Sequence, residues 1–227
     1  MGFLRGLFAL FFIFQTSLYA NFLYKDEVTS NPAFANEIEK IGSELYDKTG
    51  IKFLLVMLDK LPDGSIINLE KSILKGSSTP TIILAFSKQD MKVDIAVSDA
   101  FLYDYFDKKQ VLSPAASQVQ AFLLAMLYAD SFSSFKELLS SHGGTILPVL
   151  SQKTKPHEEA SKYAAAMFNG YADIAMQVAS AKKVELDSSV GNSSQISVLV
   201  LKVIFYGVLL YALILFVKNR YKKRIDK

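Results

Sequence analysis

Hydrophobic and polar residues change their spacing several times along the chain, and each change marks a predicted element. In residues 51–58, IKFLLVML, apolar residues occupy both odd-numbered and even-numbered positions. This pattern is typical of a strand buried on both faces of an α/β sheet. Residues 81–86, TIILAF, follow the same pattern. From Met91 to Val97 every second residue is apolar, which predicts a half-buried strand that returns antiparallel to its predecessor.

Helical spacing surrounds the first two strands. Residues 30–50 carry apolar residues on one stripe, with Pro32 suited to the first helical position and Gly50 to the position after the end. Residues 66–75 predict a short crossover helix between the two buried strands. A strand, a helix and a strand in this order form a right-handed parallel unit. The fold class predicted is therefore α/β, an α/β/α sandwich with a small mixed sheet flanked by helices.

The second half of the chain is predicted to be mainly helical from Ala115 onward. A last long helix is expected over residues 157–183. Three sets of apolar residues recur at helical spacing: Val119, Phe122, Leu123, Met126 and Leu127; Phe132, Phe135, Leu138 and Leu139; and Tyr163, Met167, Tyr171, Ile174 and Val178. Gly143, Gly144 and Pro148 interrupt the pattern between the second and third sets.

The N-terminal residues 1–20 have the layout of a secretory signal peptide. One basic residue, Arg5, precedes an apolar run and then small or polar residues that end at Ala20, where cleavage is expected. Leu18 is larger than the residue usually found three positions before a cleavage site. An uncleaved N-terminal anchor is therefore the alternative interpretation.

The C-terminal segment 196–217 is predicted to be a transmembrane helix. It approaches the length of about 20 apolar residues that a bilayer core requires. Lys202 interrupts the run and is expected near one interface, with its ammonium group directed outward. The tail at residues 218–227 carries six basic residues against the single acid Asp226, so the positive-inside rule places the C-terminus in the cytoplasm.

The net charge of the predicted outer domain differs in sign from that of the whole chain. The chain has 25 basic and 22 acidic residues. Without Arg5, Lys202, the six basic tail residues and Asp226, residues 21–195 carry a formal charge of about −4. Nucleic acid is therefore not an expected partner. The chain contains no cysteine, so a disulfide framework and thiol chemistry are excluded.

These observations predict the organisation of the whole chain. Residues 21–183 form an extracytoplasmic domain, and residues 184–195 form a polar linker to the membrane helix. The expected location is the bacterial inner membrane, with a single membrane span and the main domain in the periplasm.

Two carboxylates are the candidate site residues. The sequence has no phosphate loop, dinucleotide fingerprint, nucleophile elbow or paired histidines at helical spacing, and no catalytic residue is assigned. Asp59 follows the first buried strand and Asp90 follows the second, so both are expected at one edge of the sheet. Two acids at one edge are candidate ligands for Mg²⁺ or Ca²⁺. The alternative is that both are turn residues, a role that Asp favours, and no cofactor is then expected.

The order of elements resembles the TPM domain family, found in thylakoid-lumen photosystem repair proteins and in bacterial envelope proteins. The resemblance lies in TGIKFLLVMLDKLPDGSIINLEKSIL at residues 49–74 and TIILAFSKQDMKVDIAVSDAF at residues 81–101. It implies an α/β sandwich and, in some members, metal binding and acid phosphatase activity. The chain has SSTPT at 77–81 where the family has an Asp/Asn-Asn-Gly step, and AVSDAF at 96–101 where it has a Gly-Tyr-Gly-like step. No catalytic residue is carried over.

Three functions follow from these patterns. The first is a membrane-anchored, non-enzymatic binding module that assists the assembly, stability or repair of a membrane protein complex, because a tether gives it partners at high effective concentration. The second is a divalent-metal-dependent acid phosphatase that uses Asp59 and Asp90. The third is recognition of envelope polymers or peptides along the exposed edge of the last strand.

Overall fold

A computed structural model describes residues 21–188 of the chain. The predicted signal peptide, the membrane helix, the basic tail and residues 189–195 of the predicted linker lie outside the described residues. The strands are β1 (Leu23–Asp26), β2 (Lys52–Leu58), β3 (Thr81–Ser87) and β4 (Lys92–Val97). The α-helices are α1 (Pro32–Thr49), α2 (Ile66–Leu74), α3 (Lys108–Val111), α4 (Gln118–Tyr128), α5 (Phe132–Ser140), α6 (Leu147–Leu150) and α7 (Glu159–Ala181). Two 3₁₀ helices span Ala100–Tyr105 and Pro156–Glu158.

The described residues divide into two compact units. Unit 1 comprises residues 21–103 and 155–164, and unit 2 comprises residues 104–154 and 165–188. Unit 1 therefore holds the four strands with α1 and α2, and unit 2 holds α3 to α6. The helix α7 contributes its first residues to unit 1 and the remainder to unit 2.

Unit 1 is built on a four-stranded sheet in the order β1-β2-β3-β4. β2 pairs in parallel with β1 and β3, and β4 pairs antiparallel with β3. Leu55 of β2 lies opposite Leu84 of β3, which lies opposite Ile95 of β4. The small mixed sheet predicted from the sequence is confirmed. β1 was not predicted, because its four residues, LYKD, carry neither an apolar run nor a clear alternation.

The two central strands lie in the core of unit 1. Every residue of β3 is buried, as is every residue of β2 after Lys52. On one face, Leu54, Val56 and Ile83 form a buried cluster against which the apolar side chains of α2 pack. Residues of the opposite face, such as Leu55, are also buried. The unbroken apolar runs thus follow from burial of both faces.

The helix α1 begins and ends at the residues that the sequence predicts. The Asn31 side chain accepts hydrogen bonds from the backbone amides of Ala33 (3.0 Å) and Phe34 (3.4 Å), which otherwise have no partner in the first turn. Gly50 ends the helix with a φ of 70°, and its amide donates to the Tyr46 carbonyl at 2.7 Å. These two caps fix the bounds of α1 beside the sheet.

A polar cluster in unit 2 joins α3 and the 141–145 loop to α7. The Gln110 side-chain amide donates to the Gly143 carbonyl and, at 3.2 Å, to Asp173 Oδ2. The Gln110 carbonyl oxygen accepts from Gln177 Nε2 at 2.7 Å. Thr145 Oγ1 also donates to Asp173 Oδ2, at 3.2 Å. Each of these groups is engaged inside unit 2, so the cluster has a structural role.

The long helix α7 confirms the predicted apolar stripe, since Tyr163, Met167, Tyr171, Ile174 and Val178 are all buried. Between the end of α7 and Ser188, the last described residue, the chain forms no helix or strand, and Leu186 and Ser188 are buried. In the part of the chain that the structure describes, no helix combines the length and apolarity needed to cross a membrane.

Candidate functional site

The loops that follow β2 and β3 meet at one edge of the sheet. The Lys88 amide donates to the Leu58 carbonyl at 2.9 Å, and the Gln89 amide donates to the Asp59 carbonyl at 2.8 Å. The backbone of each loop is therefore joined to the backbone of the other. Asp59 belongs to the first loop and Asp90 to the second, so both candidate residues lie in this pair of loops.

The Asp90 carboxylate links the two loops through its Oδ2 atom. This oxygen accepts a hydrogen bond from the Ser87 hydroxyl at 2.6 Å and another from the Leu61 amide at 2.9 Å. Both bonds favour the ionised form, and the Ser87 bond is the larger cause of the lowered pKa of Asp90. The ionised Asp90 carboxylate thus stabilises the loop after β3 and joins it to the loop after β2.

The Asp59 carboxylate is also engaged by its neighbours. Its Oδ2 atom accepts from Gln89 Nε2 at 2.6 Å, and its Oδ1 atom lies 3.8 Å from Lys88 Nζ. Its backbone amide donates to Glu27 Oε2 at 3.1 Å. The hydrogen bond from Lys25, at 2.6 Å, is the main cause of the lowered pKa of Glu27.

Glu27 is the residue of this edge that the sequence does not reveal. It follows β1, and β1 carries too weak a pattern to be recognised as a strand. The only signal in the sequence is the clustered charge of KDE at residues 25–27. Parallel pairing with β2 then brings Glu27 beside Asp59, since the carboxyl ends of parallel strands share one edge.

The carboxylates at this edge of the sheet accept hydrogen bonds from residues in or next to the two loops. Mg²⁺ and Ca²⁺ take six or more oxygen ligands, including water. Within residues 21–188, no group of three or more His, Cys, Asp or Glu side chains is placed to hold a metal ion. Asp59 and Asp90 accept hydrogen bonds from residues of this edge, as the turn interpretation predicts, and their role as metal ligands stays a prediction.

The pH dependence of stability tests the role of Asp90. Its pKa is lower in the folded chain than the value of about 3.9 expected when unfolded, so its contribution is present above that value and lost as the pH falls through the folded pKa. We expect Asp90→Asn to reduce the loss of stability in this acid range, measured by denaturant unfolding at a series of pH values. Asp63→Asn, in the neighbouring turn, is the matched control. Equal acid dependence in wild type and Asp90→Asn would contradict this role.

A second candidate surface lies on the helical hairpin α4–α5 of unit 2. Five apolar residues of α4, which we call the α4 stripe, are between 45% and 73% exposed: Val119, Phe122, Leu123, Met126 and Leu127. The buried residues of α4 are Ala121 and Ala125. A stripe with this spacing usually faces a core. Here the small residues face inward and the large apolar residues face outward.

The hairpin is ordered by local contacts. The rings of Phe122 and Phe135 meet edge to face, with centroids 6.2 Å apart. Ser131 caps α5 by accepting a hydrogen bond from the Ser134 amide at 3.1 Å. Tyr128 and Phe132, on either side of the connecting turn, are 68% and 85% exposed. The hairpin thus holds an apolar surface in a defined conformation.

The outer edge of β4 is partly occupied by side chains. The Ile95 amide donates to Asp94 Oδ1 at 2.8 Å, and the Ile95 carbonyl accepts from the Tyr103 hydroxyl at 3.3 Å. A strand added at this edge would need backbone groups that are free to pair. The centre of β4 therefore offers fewer such groups than an open edge.

No protein-family model matches the chain, and searches of curated proteins and of solved structures found no match either. The α4 stripe and the loop edge at Asp59 and Asp90 are the two candidate functional sites of the described residues.

Proposed function

We propose that the protein is a membrane-anchored binding module in the periplasm that assists the assembly, stability or repair of a membrane protein complex. The proposal includes a transmembrane helix at residues 196–217 and a domain of the TPM type, an α/β/α sandwich, outside the cytoplasm. In this arrangement the membrane helix keeps the module beside its partners, and the folded units make the contacts.

The observation that carries the proposal is the outward-facing α4 stripe. Large exposed apolar patches on a folded protein are typical of interaction surfaces. An apolar surface of this kind is stabilised when it leaves water, and the gain is roughly 25 cal/mol per Å² of area buried. A bilayer and the proteins embedded in it both provide apolar surroundings, which supports a role at the membrane.

The hydrogen bonds at the loop edge support binding over catalysis. Asp90 is engaged by Ser87 and Leu61, and Asp59 is engaged by Gln89. A metal-dependent phosphatase at this edge would place a cation against carboxylates that already join the two loops. The binding module gives these carboxylates no second role.

Crosslinking in intact cells, followed by copurification of the full-length chain from solubilised membranes, tests the proposed function. We expect one specific membrane protein complex to copurify. The control is a chain in which residues 196–217 are replaced by an unrelated membrane helix. Because recognition is assigned to the folded units, the same complex is expected with both chains.

Two outcomes would count against this assignment. Loss of the complex in the control would move recognition from the folded units to the membrane helix. Recovery of no specific complex in either sample would refute the binding module and leave the metal-dependent phosphatase as the next hypothesis to test.

A further inference from the structure

We propose that the α4 stripe lies on the lipid bilayer itself, with its apolar side chains at the boundary between headgroups and acyl chains. The inference rests on the proposed function, because the membrane helix is what brings unit 2 to the bilayer. It deepens that function by naming lipid as the occupant of the stripe. The stripe then supports the proposed function by holding unit 2 at the bilayer surface, beside the membrane proteins that the module assists.

The shape of the stripe suits a flat apolar boundary. Its residues follow the spacing i, i+3, i+4, i+7 and i+8 from Val119 to Leu127, so they share one side of the helix. The eleven residues of α4 extend about 17 Å at 1.5 Å per residue. All five side chains of the stripe are large and apolar, and such side chains are typical of the buried face of interfacial helices.

The chain between the folded units and the predicted membrane helix is short. Leu186 and Ser188 are buried, so the length of the predicted tether is counted from residue 189. The seven residues 189–195 span at most about 25 Å when fully extended. Unit 2 contains both the start of this tether and the α4 stripe. The tether therefore keeps the unit that carries the stripe close to the bilayer.

The distribution of charged residues around the α4 stripe indicates which lipid it contacts. No charged residue occurs from Gln110 to Ala129, so burial of the stripe removes no ion from water. The stripe has no basic residue, and on α5 the exposed Lys136 is next to the exposed acid Glu137, so the hairpin carries no net positive charge that would attract anionic lipid. We therefore expect binding to zwitterionic lipid that is insensitive to salt.

The turn of the hairpin sets its orientation. Asp130 lies between the exposed aromatic residues Tyr128 and Phe132. Placing an ionised carboxylate among acyl chains costs free energy. The hairpin is therefore not expected to enter the bilayer with its turn leading. Aromatic residues are enriched at the membrane–water interface. The hairpin is therefore expected to lie along the surface, with Asp130 in water.

Site-specific fluorescence tests the contact, and the chain suits it because it has no native cysteine. Leu127→Cys places an environment-sensitive dye on the stripe, and Glu37→Cys places the same dye on the exposed side of α1 in unit 1. Each full-length variant is reconstituted in phosphatidylcholine nanodiscs that contain nitroxide-labelled lipid. We expect severalfold stronger quenching at position 127 than at position 37, with no change at high salt.

Each other result overturns the inference in a distinct way. A dye at position 127 that is reached by aqueous iodide and not quenched by the nitroxide lipid would mean that the stripe faces water. A dye that is shielded from both, together with a crosslinked pair of chains, would mean that a second copy covers the stripe. Alkaline extraction of the same chain from membranes tests the membrane anchor separately, so failure of the proposed function is distinguishable from failure of the lipid contact.

Discussion

Phe86→Ala is expected to lower the free energy of unfolding by about 3–5 kcal/mol, the cost of truncating a buried Phe side chain. Phe86 lies in the central strand β3 and is 1% exposed. Its ring packs on Tyr163, with a centroid distance of 5.3 Å. The substitution removes the buried ring and leaves a cavity in unit 1, and chemical unfolding monitored by circular dichroism measures the loss.

Phe132→Ala is the matched control, since it makes the same chemical change at a side chain that is 85% exposed. Its effect is expected to stay within about 0.5 kcal/mol, as for most surface substitutions. Equal losses for the two variants would contradict the burial described for β3 or the exposure described for the hairpin.

Gly144→Ala is expected to destabilise unit 2 by about 3 kcal/mol, at the upper end of the usual cost of overpacking. A Cβ atom at this position would lie 1.8 Å from the Ser113 carbonyl oxygen and 2.7 Å from its carbonyl carbon. These are backbone atoms, so a side-chain rotation cannot relieve the contact. The Gly144 amide also donates to the Ala115 carbonyl at 2.9 Å, which holds the two segments together. Thermal unfolding measures the change.

Gly76→Ala provides the comparison, because a Cβ atom there meets only the Ile73 carbonyl oxygen at 3.8 Å. Its melting temperature should stay close to that of the wild type. If Gly144→Ala also melts at the wild-type temperature, the close approach of the 141–145 loop to Ser113 is refuted.

Local sequence patterns predict the position of the candidate site in the sheet, and they do not predict the hydrogen-bond partners of its carboxylates. The positions of Asp59 and Asp90 after two buried strands predict that they share an edge, because parallel strands end together. Whether the carboxylates bind a cation or hold turns depends on Ser87, Gln89 and the Leu61 amide. These partners are weak signals in a sequence, since Ser and Gln occur at many surface positions.

The elements whose signals are local can be predicted from the sequence alone. The apolar runs of β2 and β3, the alternation of β4, and Pro32 and Gly50 at the two ends of α1 each follow from contacts within a few residues or from burial of whole strands. A mixed α/β fold therefore follows from the sequence.

Which surfaces are covered depends on contacts that form in the folded chain. β1 exists because it pairs with β2, and its own four residues carry no strong preference. Helical spacing identifies the α4 stripe as one side of a helix, but it does not say whether that side meets a core or remains exposed. Here Ala121 and Ala125 take the inward positions, so the larger side chains are left outside. Burial depends on contacts between residues that are distant in the sequence, and the periodicity of apolar residues carries no information about those contacts.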